Sequence, residues 1–142
     1  MNGTATNWIV LYAEDEVSDR MFMDRAFQKV GLGHALRTVA NGQEAKDYLA
    51  GIGAYGDRSE HPMPAVVLLD LKMPLVNGFE LLEWMRGHPE LTSLPVVIFT
   101  SSPLSEDKAR AKKLGANDYI EKPSAMGKFG DVVKRLKEKW RV

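Results

Sequence analysis

Acidic, hydroxyl and ammonium side chains stand directly after the apolar runs of this chain. Glu14-Asp15-Glu16 follows Trp8–Ala13, and Asp70 follows Ala65–Leu69. Thr100-Ser101-Ser102 follows Pro95–Phe99, and Lys122-Pro123 follows Asp118–Glu121. Carboxylates brought together raise one another's pKa or repel unless a cation neutralises them. A ligand set of oxygens, without Cys or His, suits a hard cation, and Mg²⁺ (or Mn²⁺) is the usual choice beside phosphates. Asp15 and Asp70 could each supply one carboxylate oxygen. Glu14 could act through a bound water, and a backbone carbonyl, water and substrate would fill the remaining positions. An aspartate can also attack phosphorus and form an aspartyl phosphate. Such a transfer needs mainly positioning and charge neutralisation. Asp70, at the centre of the set, is the natural acceptor. Lys122 offers a compact positive charge, and Thr100 a hydrogen bond to a phosphoryl oxygen.

These residues can meet only if the apolar runs lie side by side. Trp8–Ala13, Ala65–Leu69 and Pro95–Phe99 are continuous and rich in β-branched residues, with no alternation. Strands covered on both faces read this way, and they belong to parallel sheets. Ala35–Val39 and Asp118–Glu121 are weaker strand candidates. Between the strands lie helical patterns. Val17, Met21, Ala26, Phe27 and Val30 mark one stripe, ended by Gly31. Glu44–Leu49 is a short helix, and Phe79, Leu82, Trp84 and Met85 fall in another that ends near Gly87. Ser105–Leu114 has a thin apolar face and closes at Gly115, a good C-terminal cap. Phe129, Val132, Val133, Leu136 and Trp140 recur at the spacing of an amphipathic helix. Five strand–helix units predict an α/β protein, a doubly wound five-stranded parallel sheet in a (βα)5 three-layer sandwich. In open sheets of this kind ligands bind beyond the carboxyl ends of the strands, where the polar groups collect. Residues 51–64, with three Gly and two Pro, predict a surface loop longer than most connections.

Composition narrows the classes. Nineteen basic residues balance nineteen acidic ones, which argues against nucleic-acid binding through a general basic surplus. With 44% hydrophobic and 27% charged residues, the chain has the makeup of a folded globular domain. A length of 142 residues predicts one domain, 1–142, with a core over about 7–141. Cysteine is absent, so disulfides and thiol chemistry are excluded. Met1–Asn7 has neither a basic segment nor a long apolar one, so no secretory leader is expected there. No apolar run approaches the roughly twenty residues of a membrane span, and a cytoplasmic location without membrane association is expected.

The ordered set resembles the receiver domain of bacterial two-component response regulators. Glu14-Asp15 follows the first strand, Asp70 opens Asp70-Leu71-Lys72-Met73-Pro74, Gly78 lies eight residues later and Thr100 thirty, and Tyr119 with Lys122-Pro123 completes it. The resemblance covers almost the whole chain. It implies the flavodoxin-like strand order 2-1-3-4-5. It implies that Asp70 takes a phosphoryl group from a phosphohistidine of a sensor histidine kinase, and that Asp15, Asp70 and the backbone carbonyl of Lys72 hold Mg²⁺. Thr100 would then move toward the phosphoryl group, and Tyr119 would turn inward behind it. Lys72 and Ser102 sit where the family tunes phosphoryl lifetime. Pro123 is implied to be structural, with a cis bond before it. The 51–64 loop makes the chain similar to stand-alone regulators paired with phytochrome-type sensor kinases. A downstream protein partner or phosphotransfer protein, and a homodimer, are further implied partners.

Each residue also has an ordinary structural reading. Glu14 and Asp15 could complement the dipole of the following helix, and Asp19 could do so nearly as well; Glu16 reads as solvated. Thr100 could simply end a strand, Tyr119 could be a half-buried strand aromatic, and Lys122 an exposed charge. His34, His61 and His88 lack any metal-like spacing and read as structural or surface residues. The basic excess in 128–142 reads as the solvated face of the last helix. Trp140 would pack on the body or contribute to a dimer surface. Two rival functions share the acidic set. A Mg²⁺-dependent phosphohydrolase would need a general acid where Lys72 stands. A non-phosphorylated interaction module would keep the pocket without its chemistry.

Overall fold

A computed structural model of the chain describes residues 8–141, Met126 by its backbone alone. The Met1–Asn7 segment where no leader was expected, and the ends of the expected 1–142 domain, lie outside the described residues. Five strands alternate with five helices: β1 (Val10–Ala13), α1 (Val17–Lys29), β2 (Leu36–Val39), α2 (Gly42–Ala50), β3 (Val66–Leu69), α3 (Gly78–Arg86), β4 (Val96–Thr100), α4 (Ser105–Lys113), β5 (Asp118–Glu121) and α5 (Phe129–Trp140). All strands pair in parallel, in the order β2-β1-β3-β4-β5. This is the doubly wound flavodoxin-like arrangement. Every residue of β1, β3 and β4 is buried, as expected for strands with helices on both sides.

Strand alternation divides the core into two. Val10, Tyr12, Val66, Leu68, Val97 and Phe99 point toward α1 and α5. Leu11, Ala13, Val67, Leu69, Val96 and Ile98 point toward α2, α3 and α4. Helix α5 buries Phe129, Val132, Val133 and Leu136. Trp140 packs on the same core, and its carbonyl accepts a hydrogen bond from Trp8 Nε1 at 3.2 Å. Of its two readings, packing on the body is the one observed.

The stripe expected for α1 is displaced. Val17, Met21 and Val30 are 48–60% exposed, and the buried residues are Met23, Ala26 and Phe27. Apolar spacing marks a helix, but which face is covered depends on where the sheet and α5 lie. Phe27 faces Trp8, and the partly buried Phe22 packs edge-on against Phe129 of α5. Val17 and Met21 fall outside that contact.

The 51–64 loop is folded back on the end of α2. Gly51 ends the helix at φ 68°, a left-handed conformation natural to glycine. The Arg58 guanidinium donates to the carbonyls of Tyr48, Leu49 and His61 at 2.6–3.1 Å, occupying carbonyls that the helix end leaves open. Tyr48 donates its hydroxyl to the Pro62 carbonyl at 2.8 Å. The His61 ring meets Tyr48 and Tyr55 edge-on, a packing role. His88 stacks on Trp84, and His34 offers its carbonyl to Arg37.

Candidate functional site

Register brings the polar groups together. Ala13 of β1 lies opposite Leu69 of β3, so Glu14 and Asp70 are the next residues out on neighbouring strands. Their backbones continue the ladder, with Glu14 N donating to the Val39 carbonyl (3.0 Å) and Asp70 N to the Ala13 carbonyl (3.2 Å). Beyond the end of β5, Lys122 N donates to the Thr100 carbonyl at 2.8 Å. Period-two alternation puts Glu14 on the same side as Tyr12, and the Tyr12 hydroxyl donates to Glu14 Oε1 at 3.0 Å.

Three carboxylates converge on one ammonium. Lys122 Nζ lies 2.7 Å from Glu14 Oε1, 2.7 Å from Asp19 Oδ2 and 2.9 Å from Asp70 Oδ2. Glu14 is fully buried. Its carboxyl is pushed up to about 7, first by burial and further by the Asp70 charge, against the opposing pull of Lys122 and the Glu16 N–H. Burial alone would lower the Lys122 ammonium, but its contacts with Asp19, Glu14 and Asp70 outweigh that and hold it above the ordinary lysine value. The Tyr12 phenol is raised by burial and by the adjacent Glu14 charge, so it remains a hydrogen-bond donor. The site is net acidic even with Lys122 counted. Oxygens of Glu14, Asp15 and Asp70 lie within 4.8 Å of one another, and Asp15 is exposed. An all-oxygen cluster with an exposed member fits a divalent cation of the Mg²⁺ or Mn²⁺ kind.

The loop after Asp70 is shaped by backbone demands. A Cβ on Gly78 would fall 2.3 Å from the Asp70 carbonyl oxygen, so only glycine lets α3 start this close. Asn77 caps α3 by accepting from Glu80 N, while Glu80 accepts from Asn77 N, a reciprocal capping box. Leu75 adopts φ 69° and is 78% exposed. A non-glycine residue there is strained and is held by its surroundings. Lys72 N reaches Asp70 Oδ1 only at 3.4 Å, and Lys72 is exposed. An open cavity of about 580 Å³ adjoins the cluster, lined in part by Asp15, Lys72, Met73, Asn77 and Asp107.

Thr100 and Tyr119 belong to the other side of the sheet. Val96 and Ile98 face the α4 side, and alternation carries Thr100 with them. Its Oγ1 accepts from Ser102 N at 3.5 Å, a weak bond that leaves the hydroxyl loosely held. The half-buried Tyr119 donates its hydroxyl to the Ser102 carbonyl at 2.9 Å. Ser102 is itself buried. Its hydroxyl donates to Asp107 Oδ2 at 2.6 Å and accepts from Leu104 N at 3.3 Å, which ties it to the start of α4.

The expected cis bond before Pro123 is corrected: no peptide bond among the described residues is cis. The trans form is the lower in energy for X–Pro by about 0.5–1 kcal/mol, and with it Lys122 already makes its strand bond and its three carboxylate contacts. The sequence points Asp19 only to the helix dipole, yet it lies as close to Lys122 as Glu14 does. No spacing rule joins residues 103 positions apart. The Tyr12–Glu14 bond was open to inference, because two residues along a strand share a face.

Comparison with known proteins settles the family. A model of the response regulator receiver domain matches residues 10–134. The chain belongs to the receiver-domain family of response regulators. It is 34% identical over 133 residues to the probable methanogenesis regulatory protein FilR2 of Methanothrix harundinacea, covering 94% of this chain and 83% of that one. The phosphorylated cyanobacterial phytochrome response regulator RcpA superposes with a TM-score of 0.83 at 29% identity, covering 94% of each chain. The Mn²⁺-bound response regulator Rcp1 of Synechocystis sp. superposes with a TM-score of 0.81 at 26% identity, again over 94% of each. The receiver acts as a phosphoacceptor switch in two-component signalling, and stand-alone phytochrome-associated regulators are among its near relatives.

Proposed function

We propose that Asp70 is the phosphoacceptor and that residues 1–142 work as one receiver domain. The carrying observation is the contact of Lys122 Nζ with Asp70 Oδ2 beside the Glu14–Asp15–Asp70 oxygen cluster. A carboxylate oxygen of Asp70 attacks the phosphorus of a phosphohistidine. The P–N bond breaks, its electron pair returns to the imidazole, and a P–O bond forms on Asp70. Lys122 neutralises charge on the transferred group, and Thr100 donates its hydroxyl to a phosphoryl oxygen. Asp15, Asp70 and the Lys72 carbonyl would hold Mg²⁺ or Mn²⁺, with Glu14 reaching it through water. When bound, the cation supplies charge neutralisation on the phosphoryl oxygens. Later attack of water on phosphorus breaks the P–O bond and resets Asp70.

Tyr119 answers Thr100 because both address the 100–102 segment, one from β4 and one from β5. Lys72, exposed beside Asp70, and Ser102 tune the lifetime, and Pro123 shapes the turn after Lys122. The protein is a phosphoacceptor, not a turnover enzyme. Its phosphodonor is a sensor histidine kinase of phytochrome type, a reading supported by the likeness to RcpA. It works in the cytoplasm and passes its signal to a downstream protein or phosphotransfer protein, alone or as a homodimer.

Incubation with an acyl phosphate and Mg²⁺, followed by mass spectrometry of peptides, tests the acceptor. Labelling of the Asp70 peptide is expected, and Asp70→Asn should abolish it with the fold intact. Labelling that persists on another residue overturns the assignment. Sustained turnover of simple phosphate esters would overturn the non-enzyme reading.

A further inference from the structure

Asp19 has no part in the phosphoacceptor scheme, yet it makes one of the two shortest contacts of Lys122. Its Oδ2 lies 2.7 Å from Nζ, as near as Glu14 and nearer than Asp70. A lysine ammonium has three donors; two are taken by hydrogen bonds to Asp19 and Asp70, and Glu14 stands beside them as an ion pair at 2.7 Å. An oxygen of a transferred phosphoryl group that binds Lys122 must compete with these carboxylates for the ammonium. The three differ in what release would cost. Glu14 is fully buried and its side chain is also held by Tyr12 and by Glu16 N. Asp70 is the acceptor itself and its side chain is 7% exposed. The Asp19 side chain is 20% exposed, so its carboxylate can be rehydrated on leaving, at the smallest desolvation penalty of the three.

We infer that Asp19 is a positioning residue that competes with the phosphoryl group for Lys122. It holds the ammonium over Asp70 in the resting protein and is the partner displaced when the acceptor is loaded. Two electrostatic effects act in the same direction. Asp19 occupies a donor of Lys122, and its negative charge repels the incoming dianion. Removing that charge therefore strengthens the loaded state. Asp19 also lies in the first turn of α1, whose N-cap residue Glu16 makes no side-chain capping bond. The Asp19–Lys122 contact ties that turn to the residue that follows β5. Its release carries occupancy of the site to α1 directly, without passing through Thr100.

The inference rests on the phosphoacceptor reading, and the test keeps the two apart. Beryllofluoride, which stands in for the phosphoryl group, is titrated at saturating Mg²⁺ into the full chain, and backbone amide shifts are followed. Asp70→Asn must abolish the response of the unaltered protein; if the unaltered protein does not respond, the phosphoacceptor reading itself fails. Given that response, Asp19→Asn should bind beryllofluoride about tenfold tighter, the size expected for removing one unit charge a few ångströms away in a partly solvated site. Asp19→Ala should do at least as well. In the resting Asp19→Asn variant, the amides of the first turn of α1 should already shift toward their positions in the loaded unaltered protein. A purely structural role for Asp19 would weaken binding, since a disordered Lys122 serves the phosphoryl group less well. Equal or weaker beryllofluoride affinity in both variants, with thermal stability retained, overturns the inference.

Discussion

Helices α4 and α5 flank the same edge strand, β5, and they are held in opposite ways. Helix α5 buries Phe129, Val132, Val133 and Leu136, and Phe129 packs edge-on against both Phe22 and Phe99. Helix α4 buries only Ala111 among its described residues. Polar contacts at its ends supply the rest. Asp107 accepts from Ser102 at 2.6 Å near the start. Past the other end, the Gly115 carbonyl accepts from the Arg86 guanidinium at 2.9 and 3.2 Å, and Arg86 also binds the Leu91, Thr92 and Leu94 carbonyls. Between them the Arg110 guanidinium lies 4.2 Å over the Phe79 ring. Apolar burial resists displacement through close-packed volume, whereas hydrogen bonds at the surface can be exchanged for water at little net cost. The charge cluster of Glu14, Asp70 and Lys122 is on the α1–α5 side, while Thr100 and Tyr119 face α4. The charge cluster thus sits against the deeply buried layer, and Thr100 and Tyr119 against the thinly buried one.

The largest effect should come from the rigid side. Leu136→Ala should lose about 2–5 kcal/mol, the range for a buried leucine truncated to a cavity. Ala111→Gly in α4 should lose about 1 kcal/mol, chiefly through helix propensity. Urea unfolding of both variants measures the contrast, and losses of equal size would break the comparison.

Next comes the pH response of the buried carboxyl. Glu14 is raised from 4.5 to about 7 in the folded chain, so the fold favours its neutral form. Its contribution to stability is complete below about pH 4.5 and is lost as pH rises through about 7. The difference corresponds to roughly 3 kcal/mol. Without divalent cation, stability should therefore fall across that window. Glu14→Gln should flatten the fall, because a neutral side chain of the same shape has no charge to bury. A profile for the Gln variant that matches the unaltered protein would remove Glu14 as the cause.

The smallest global effects belong to the ties of α4. Arg86→Ala should cost about 1 kcal/mol, the net worth of hydrogen bonds whose carbonyls water can reach. Asp107→Ala should cost about 1 kcal/mol. In both, hydrogen exchange should accelerate through α4 while α5 keeps its protection. Acceleration spread evenly over both helices would show that the two are not independently held.

Much of the arrangement was legible in advance. The five strands were read near their observed limits because continuous apolar runs have few alternatives in an α/β chain, and β5 matched at Asp118–Glu121 despite being half exposed. The acidic set and Lys122 are legible because each stands one or two residues past a strand. The rotation of α1 is not legible in its apolar spacing: Val17 and Met21 are apolar, yet among the described residues they remain largely exposed. The loop at 51–64 was identified as an interruption, not as the structure that caps α2 through Arg58.

By itself, then, the sequence determined which chemistry was available. Strand ends are set by hydrophobic runs, a local property, and the residue after each run must emerge at the same edge of a parallel sheet. Only the tertiary structure decided how those groups share their partners. It set Asp19 against Lys122, left Thr100 and Tyr119 on the thinly packed side, and turned α1 to bury Met23 and Phe27. Each of these depends on distances between segments far apart in the chain, and such distances follow from packing of whole layers, not from any local pattern.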